Sequence, residues 1–135
     1  MTTNTLLFSE KYCEINLDES SNILYAKWVG FLTIDQIKKG CDFMSAYIKD
    51  NVTTQHLSDH QDLKVLTPDC KDYLTGEWFP EVEKLGLKKV AALVSTNIFA
   101  RSSIDDVNSR ALVQLGDLTI DTFNEEADCI KWLQS

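Results

Sequence analysis

The chain is poor in the residues that break, staple or anchor a polypeptide. Only two of its 135 residues are proline and five are glycine, so no stretch has a linker's composition, and one domain over residues 1–135 is expected. Four cysteines, Cys13, Cys41, Cys70 and Cys129, stand far apart. Without a Cys-x-x-Cys pair neither a zinc ribbon nor a thioredoxin-type redox motif can be built. The longest apolar run, Val90 to Val94, is far short of the ~20 residues that span a bilayer, which excludes a membrane-inserted helix. The first ten residues lack the basic start and long apolar core of an export signal. Reduced thiols in a cytoplasmic protein are the expectation.

Positive charge is also scarce. Thirteen Lys and Arg face twenty-one Asp and Glu, giving a net charge of −8 and a pI near 4.6. An acidic surface repels phosphate backbones, and Lys38-Lys39 and Lys88-Lys89 are isolated pairs rather than a patch. Nucleic acid is therefore not an expected partner. Catalytic signatures are missing as well: there is no Gly-x-Ser-x-Gly elbow, no Walker loop and no G-x-G-x-x-G.

What is present is an ordinary globular mixture, 44% hydrophobic and 25% charged, carried in clear periodicities. Residues 12–17 alternate, with Cys13, Ile15 and Leu17 on one face; a polar turn follows, and 23–29 reads as the second arm of a hairpin. Thr33 with Gln36 forms a capping box before Ile34, Ile37, Cys41, Met44 and Ile48, spaced by three and four as one helical stripe. Residues 54–59 are expected as a polar strand. Thr67 then caps a helix opened by Pro68, and Pro80 inside that helix predicts a kink near Gly76 to Phe79. Val90 to Val94 reads as a strand covered on both faces. A helix capped by Ser103 and closed by Gly116 follows, then a strand over 118–123 and a last helix capped by Asn124. The order β-β-α-β-α-β-α-β-α implies an α/β fold: a mixed, mostly parallel five-stranded sheet with four helices, residues 1–11 forming a loosely ordered N-terminal segment.

That order resembles the STAS family (sulphate transporter and anti-sigma-factor antagonist), in its SpoIIAA-like branch. The resemblance rests on Trp28-Val29-Gly30 ending the second strand, Thr33 opening the first helix and Asp59 near the end of the third strand. Trp78 with Pro80, Gly86-Leu87-Lys88-Lys89-Val90-Ala91, and Phe123-Asn124-Glu125-Glu126-Ala127 leading to Trp132-Leu133 complete it. The resemblance implies a regulatory module that is phosphorylated on a serine just after the third strand. In this chain His60 stands where that serine is expected, and Ser58 lies before the aspartate.

Several residues are candidates for chemistry. His56-Leu57-Ser58-Asp59-His60-Gln61-Asp62 holds both histidines and two carboxylates. On a helix His56 and His60 would share a face, and on a strand His56, Ser58 and His60 would; with Asp59, the two histidines would form the centre of a metal-assisted hydrolase. Their plainer reading is solvated side chains at a strand end. Asn97 and Arg101 follow the next parallel strand, where a helix start favours an anion. Trp78 sits at the expected irregularity and could meet a partner or line a pocket. Candidate ligand- or partner-binding residues are thus Asp59, His60, Asp62, Asn97, Arg101 and Trp78, with no cofactor, no resident metal and no catalytic residue assigned. The expected function is a non-enzymatic regulatory or protein-interaction module that binds another protein or itself as a homodimer. The alternative is a small-molecule binder for an anionic or lipid-like ligand, and a metal-assisted hydrolase ranks third.

Overall fold

The computed structural model describes residues 4–135. Six strands form one sheet in the order of the chain: β1 (Asn4–Glu10), β2 (Cys13–Asp18), β3 (Ile23–Gly30), β4 (Gln55–Leu63), β5 (Lys89–Leu93) and β6 (Thr119–Phe123). The first three pair antiparallel and the last three join β3 in parallel. The mixed, mostly parallel α/β sheet is therefore present with one strand more than expected. Of the segment expected to be loosely ordered, residues 1–3 lie outside the described residues, whereas Asn4–Glu10 pair with β2. The alternation there is blurred by a register shift between Leu6 and Phe8, which hides an edge strand from pattern reading.

Helix α1 (Ile34–Asp50) connects β3 to β4, α2 (Pro68–Tyr73) and α3 (Phe79–Lys84) connect β4 to β5, and α4 (Ile98–Gln114) connects β5 to β6. Each crossover steps to the neighbouring strand in the same direction. Right-handed crossovers taken repeatedly in one direction must stack their helices on one face. That face holds the main core, in which Ile15, Leu24, Trp28, Met44, Val82, Leu87, Val90 and Ile104 are buried. Helix α5 (Glu126–Leu133) returns on the opposite face, where Cys129 and Leu133 pack on Ile23, Leu57, Ala91 and Leu93. Buried residues thus alternate across β5 between the two cores, as the unalternating apolar run predicts.

Local signals decide the element ends. Thr33 and Gln36 make both bonds of the capping box, at 3.2 and 3.0 Å. Asn22 takes φ 57° in the β2–β3 turn, a conformation asparagine tolerates, and Gly30 at φ 82° lets the chain leave β3. Other caps differ from expectation. Thr67 occupies the N-cap position, but its hydroxyl donates to the Asp69 carboxylate, with Cys70 Sγ 3.1 Å away. Helix α4 starts five residues before Ser103, under Asn97, whose side chain accepts from the Phe99 and Ala100 N–H groups at 3.0 and 3.2 Å. Glu125, not Asn124, is the N-cap residue of α5.

One close approach in the core is testable. A Cβ added at Gly40 in α1 would lie 2.6 Å from Trp28 Cη2 and 3.2 Å from Cζ3. Gly40→Ala gains about 1 kcal/mol of helix propensity but forces a buried indole aside, at a cost of about 1–3 kcal/mol. A net loss of about 1 kcal/mol in urea-unfolding free energy is expected, and a variant more stable than the parent would refute the packing.

Candidate functional site

Pro80 shapes the site. It brings no N–H to the ladder, and the turn ahead of it widens into a π segment, Leu74–Trp78, that joins α2 to α3. There the Phe79 N–H reaches back to the Leu74 carbonyl. The predicted kink is thus a π turn, placed where the sequence suggested. Trp78 ends it and points inward: 3% exposed, its indole N–H shared between the Cys41 carbonyl (3.2 Å) and Ser45 Oγ (3.1 Å). The ring meets His56 edge-on, with centroids 6.0 Å apart.

Between this helix, α1, α4 and the sheet lies a cavity of about 40 Å³. Its walls are mostly apolar, with Trp28, Met44, Trp78, Phe79, Ile104 and Val107 among them. Strand β4 contributes the polar part. Its alternation turns His56, Ser58 and His60 toward the cavity and Leu57 toward α5, so the strand geometry is the one realised. The expectation of solvated side chains at a strand end does not hold for His56 and Ser58, which are buried.

The histidine rings have defined partners. His56 Nδ1 lies 2.7 Å from the Leu24 carbonyl, which can only accept, so Nδ1 carries the hydrogen and Nε2 offers a lone pair. Burial lowers the His56 pKa to about 4, against the hydrogen bond to Leu24, and the ring is neutral at pH 7. His60 Nε2 pairs with Ser58 Oγ at 2.9 Å. Its pKa is also lowered, by burial first and by His56 second. His60 remains partly exposed as a residue although its Nδ1 is sealed from solvent, so its shift weighs less on stability than that of His56. Three sealed polar atoms on the cavity wall have no partner among the described residues: His56 Nε2, His60 Nδ1 and Asn108 Nδ2. A buried polar atom left unbonded costs about 1–3 kcal/mol. Sequence reasoning missed Asn108, although a polar residue one step from Val107 and three before Ala111 interrupts the apolar stripe of α4 and was a readable signal.

The remaining candidates do not join this cluster. Asp59 lies on the α5 side of β4 and accepts the Gln61 N–H at 2.9 Å; burial raises its pKa, opposed by that bond and by Lys27. Asp62 pairs with Lys27 at 3.1 Å beside a register shift in β4. The cluster of His56, Asp59 and His60 on which the hydrolase reading rests is not assembled, because strand alternation sends Asp59 through the sheet. Among the described residues no three His, Cys, Asp or Glu side chains group as metal ligands. Asn97 spends its side chain on capping α4, and the Arg101 guanidinium reaches Asn124 Oδ1 at 2.8 Å and Asp105 at 3.9 Å. The helix start pictured as an anion site is thus occupied by the chain's own groups. The thiols offer no nucleophile: all four cysteines are free and buried, and burial raises Cys13 and Cys129 to about 12.

A second feature lies at the carboxyl ends of the parallel strands. Phe31 after β3 is 77% exposed, and Ile98 and Phe99 after β5 are 72% and 70% exposed, with Val65 after β4 partly so. The Lys64 N–H donates to the Gly30 carbonyl at 3.0 Å, which sets Phe31 beside the 64–66 segment. The Leu66 N–H bonds Ser103 Oγ at 3.3 Å, which ties that segment to α4 one turn below Phe99. Exposed aliphatic and aromatic groups therefore gather along one rim.

No family model matches the chain, and no curated protein matches it. Solved structures do. The anti-sigma factor antagonist SpoIIAA in its unphosphorylated form superposes with a TM-score of 0.55 at 13% identity, over 98% of this chain and 99% of that one. An uncharacterized DUF3478-family protein with a SpoIIAA-like fold from Shewanella loihica PV-4 gives a TM-score of 0.50 at 16% identity, over 98% and 93%. The fold is SpoIIAA-like, as the sequence resemblance implied. No described helix is long and apolar enough to cross a membrane.

Proposed function

We propose that the chain is a non-enzymatic, SpoIIAA-like interaction module of the cytoplasm that docks a protein partner on the rim formed by Phe31, Val65, Ile98 and Phe99. The observation that carries this reading is the exposure of two phenylalanines and an isoleucine at the carboxyl ends of β3 and β5, which flank β4 in the sheet. Burying such groups against a partner is the main source of affinity in protein interfaces, and aromatic side chains dominate their centres. SpoIIAA, which shares the fold, is an anti-sigma factor antagonist. The absence of a serine at position 60 separates this chain from the phosphorylation expected of the resemblance, so docking here is not proposed to be switched at that position. Four free, buried thiols suit a reducing compartment.

The test is site-specific photocrosslinking in the native host. A benzophenone side chain placed at Phe31 or Phe99 is expected to give a discrete adduct. The same group at Val113, 87% exposed at the far end of α4, is expected to give none. An adduct at twice the chain mass would identify the partner as a second copy. The same adducts from all three positions, or none from the rim, would defeat the proposal.

A further inference from the structure

The cavity behind the sheet is independent of the rim and has its own chemistry. Its polar wall presents a lone-pair acceptor, His56 Nε2, and an N–H₂ donor, Asn108 Nδ2, neither bonded among the described residues and both on residues more than nine-tenths buried. His60 Nδ1 adds a third unbonded position. No Lys, Arg, Asp or Glu lines the space. The rest of the wall is apolar. We propose that this cavity binds a small uncharged molecule bearing a hydroxyl or primary-amide group on a short apolar stem.

Each part of the description follows from a wall. A hydroxyl can donate to His56 Nε2 or accept from Asn108 Nδ2, and a primary amide carries a donor and an acceptor on separate atoms. A ligand charge would meet no counter-charge and would be stripped of water in a mostly apolar enclosure, which strongly disfavours ions. Trp78, Phe79, Met44 and Val107 receive the stem. About 40 Å³ admits a molecule of a few heavy atoms, well below the ~150 Å³ that accommodates benzene. The route in is marked by Asn108 itself. It also lines an outer groove of about 390 Å³ between α4 and β6, together with Asp105, Ser109, Leu112, Ile120 and Thr122. Asn108 thus lines both the groove and the cavity.

The experiment is a titration of the ¹⁵N-labelled full chain with ethanol, acetamide, sodium acetate and methylammonium chloride, reading the His56 and His60 ring nitrogens and the Asn108 side-chain amide. Saturable shifts at these groups with ethanol or acetamide, and none with the two ions, are expected. Asn108→Leu is expected to weaken the saturable response by about tenfold or more. Should that variant not fold, the selectivity among the four probes on the parent chain still decides. Shifts that rise linearly without saturating, saturation by acetate or methylammonium equal to that of the neutral probes, or an Asn108→Leu chain that binds as tightly as the parent would each overturn the proposal. None of these outcomes bears on crosslinking at Phe31 and Phe99, so the two proposals fail separately.

Discussion

Trp78→Ala is expected to lower the unfolding free energy by about 3–5 kcal/mol, the largest loss of any single replacement considered for this chain. Three contributions act together. The indole is 3% exposed, so removing it withdraws a large apolar surface from the core. It borders the existing cavity, so the new void merges with space already present between α1, α4 and the sheet, and partial collapse recovers little. Its N–H also reaches the Cys41 carbonyl and Ser45 Oγ, two contacts the variant loses. Trp78→Phe keeps an aromatic ring but loses the donor and part of the buried surface, and should cost about 1–3 kcal/mol, less than Trp78→Ala. Urea titrations at pH 7 with equal slopes measure both. If Trp78→Ala cost less than Trp78→Phe is expected to cost, the wall formed by the π turn would be relaxing into the cavity, and the rigid packing argued for this helix would be wrong.

The sequence announced the elements whose burial follows a period. Helix α1 was legible because its capping box and its 3-4-3-4 stripe say the same thing, and both bonds of the box are made. The irregularity near Gly76 was legible because proline chemistry is local: a missing N–H distorts the preceding turn whatever surrounds it. Strand β4 is read correctly as a strand, but the burial of its side chains is not. His56 and Ser58 are polar and were assigned to solvent, yet both are buried, because tertiary packing turned a polar face inward toward a cavity that no single strand can reveal. The start of α4 was misplaced for the opposite reason. Ile98 and Phe99 are apolar and exposed, so they read as the end of a loop rather than as the first turn of an amphipathic helix. The two features proposed to bind, an inward polar face and an outward apolar rim, are thus the places where burial and polarity part company. Consistency between polarity and burial makes a fold readable, and sites are where it fails.

Acidification is expected to remove about 3 kcal/mol of stability between pH 6.5 and pH 4, chiefly through His56. The ring is buried and neutral, with its pKa lowered to about 4, while in the unfolded chain it titrates near 6.5. Between those values the unfolded state binds a proton that the folded state does not, so stability falls as pH falls, by about 1.4 kcal/mol per pH unit. The contribution is therefore fully present above pH 6.5 and is lost by the time the folded ring itself protonates. His60 acts in the same direction with a smaller weight, since it is partly exposed. Carboxylates with lowered values, such as Asp18 held by Ser20 and Glu83 held by backbone N–H groups, lose their contribution as pH falls through and below unfolded values of 3.8 and 4.5. Asp59, raised by burial, acts in the opposite sense, so the upper part of the window is where the histidines dominate. Urea-unfolding curves collected from pH 7.5 to pH 4.5 read the slope directly, and a ring-nitrogen titration of the folded chain locates the His56 pKa. In His56→Gln the slope should shrink to what His60 alone supplies, although the variant starts less stable at pH 7. A folded chain whose stability is flat across this window, or a His56 ring that titrates near 6.5, would mean that the ring reaches water, and the sealed polar wall built on β4 would have to be abandoned.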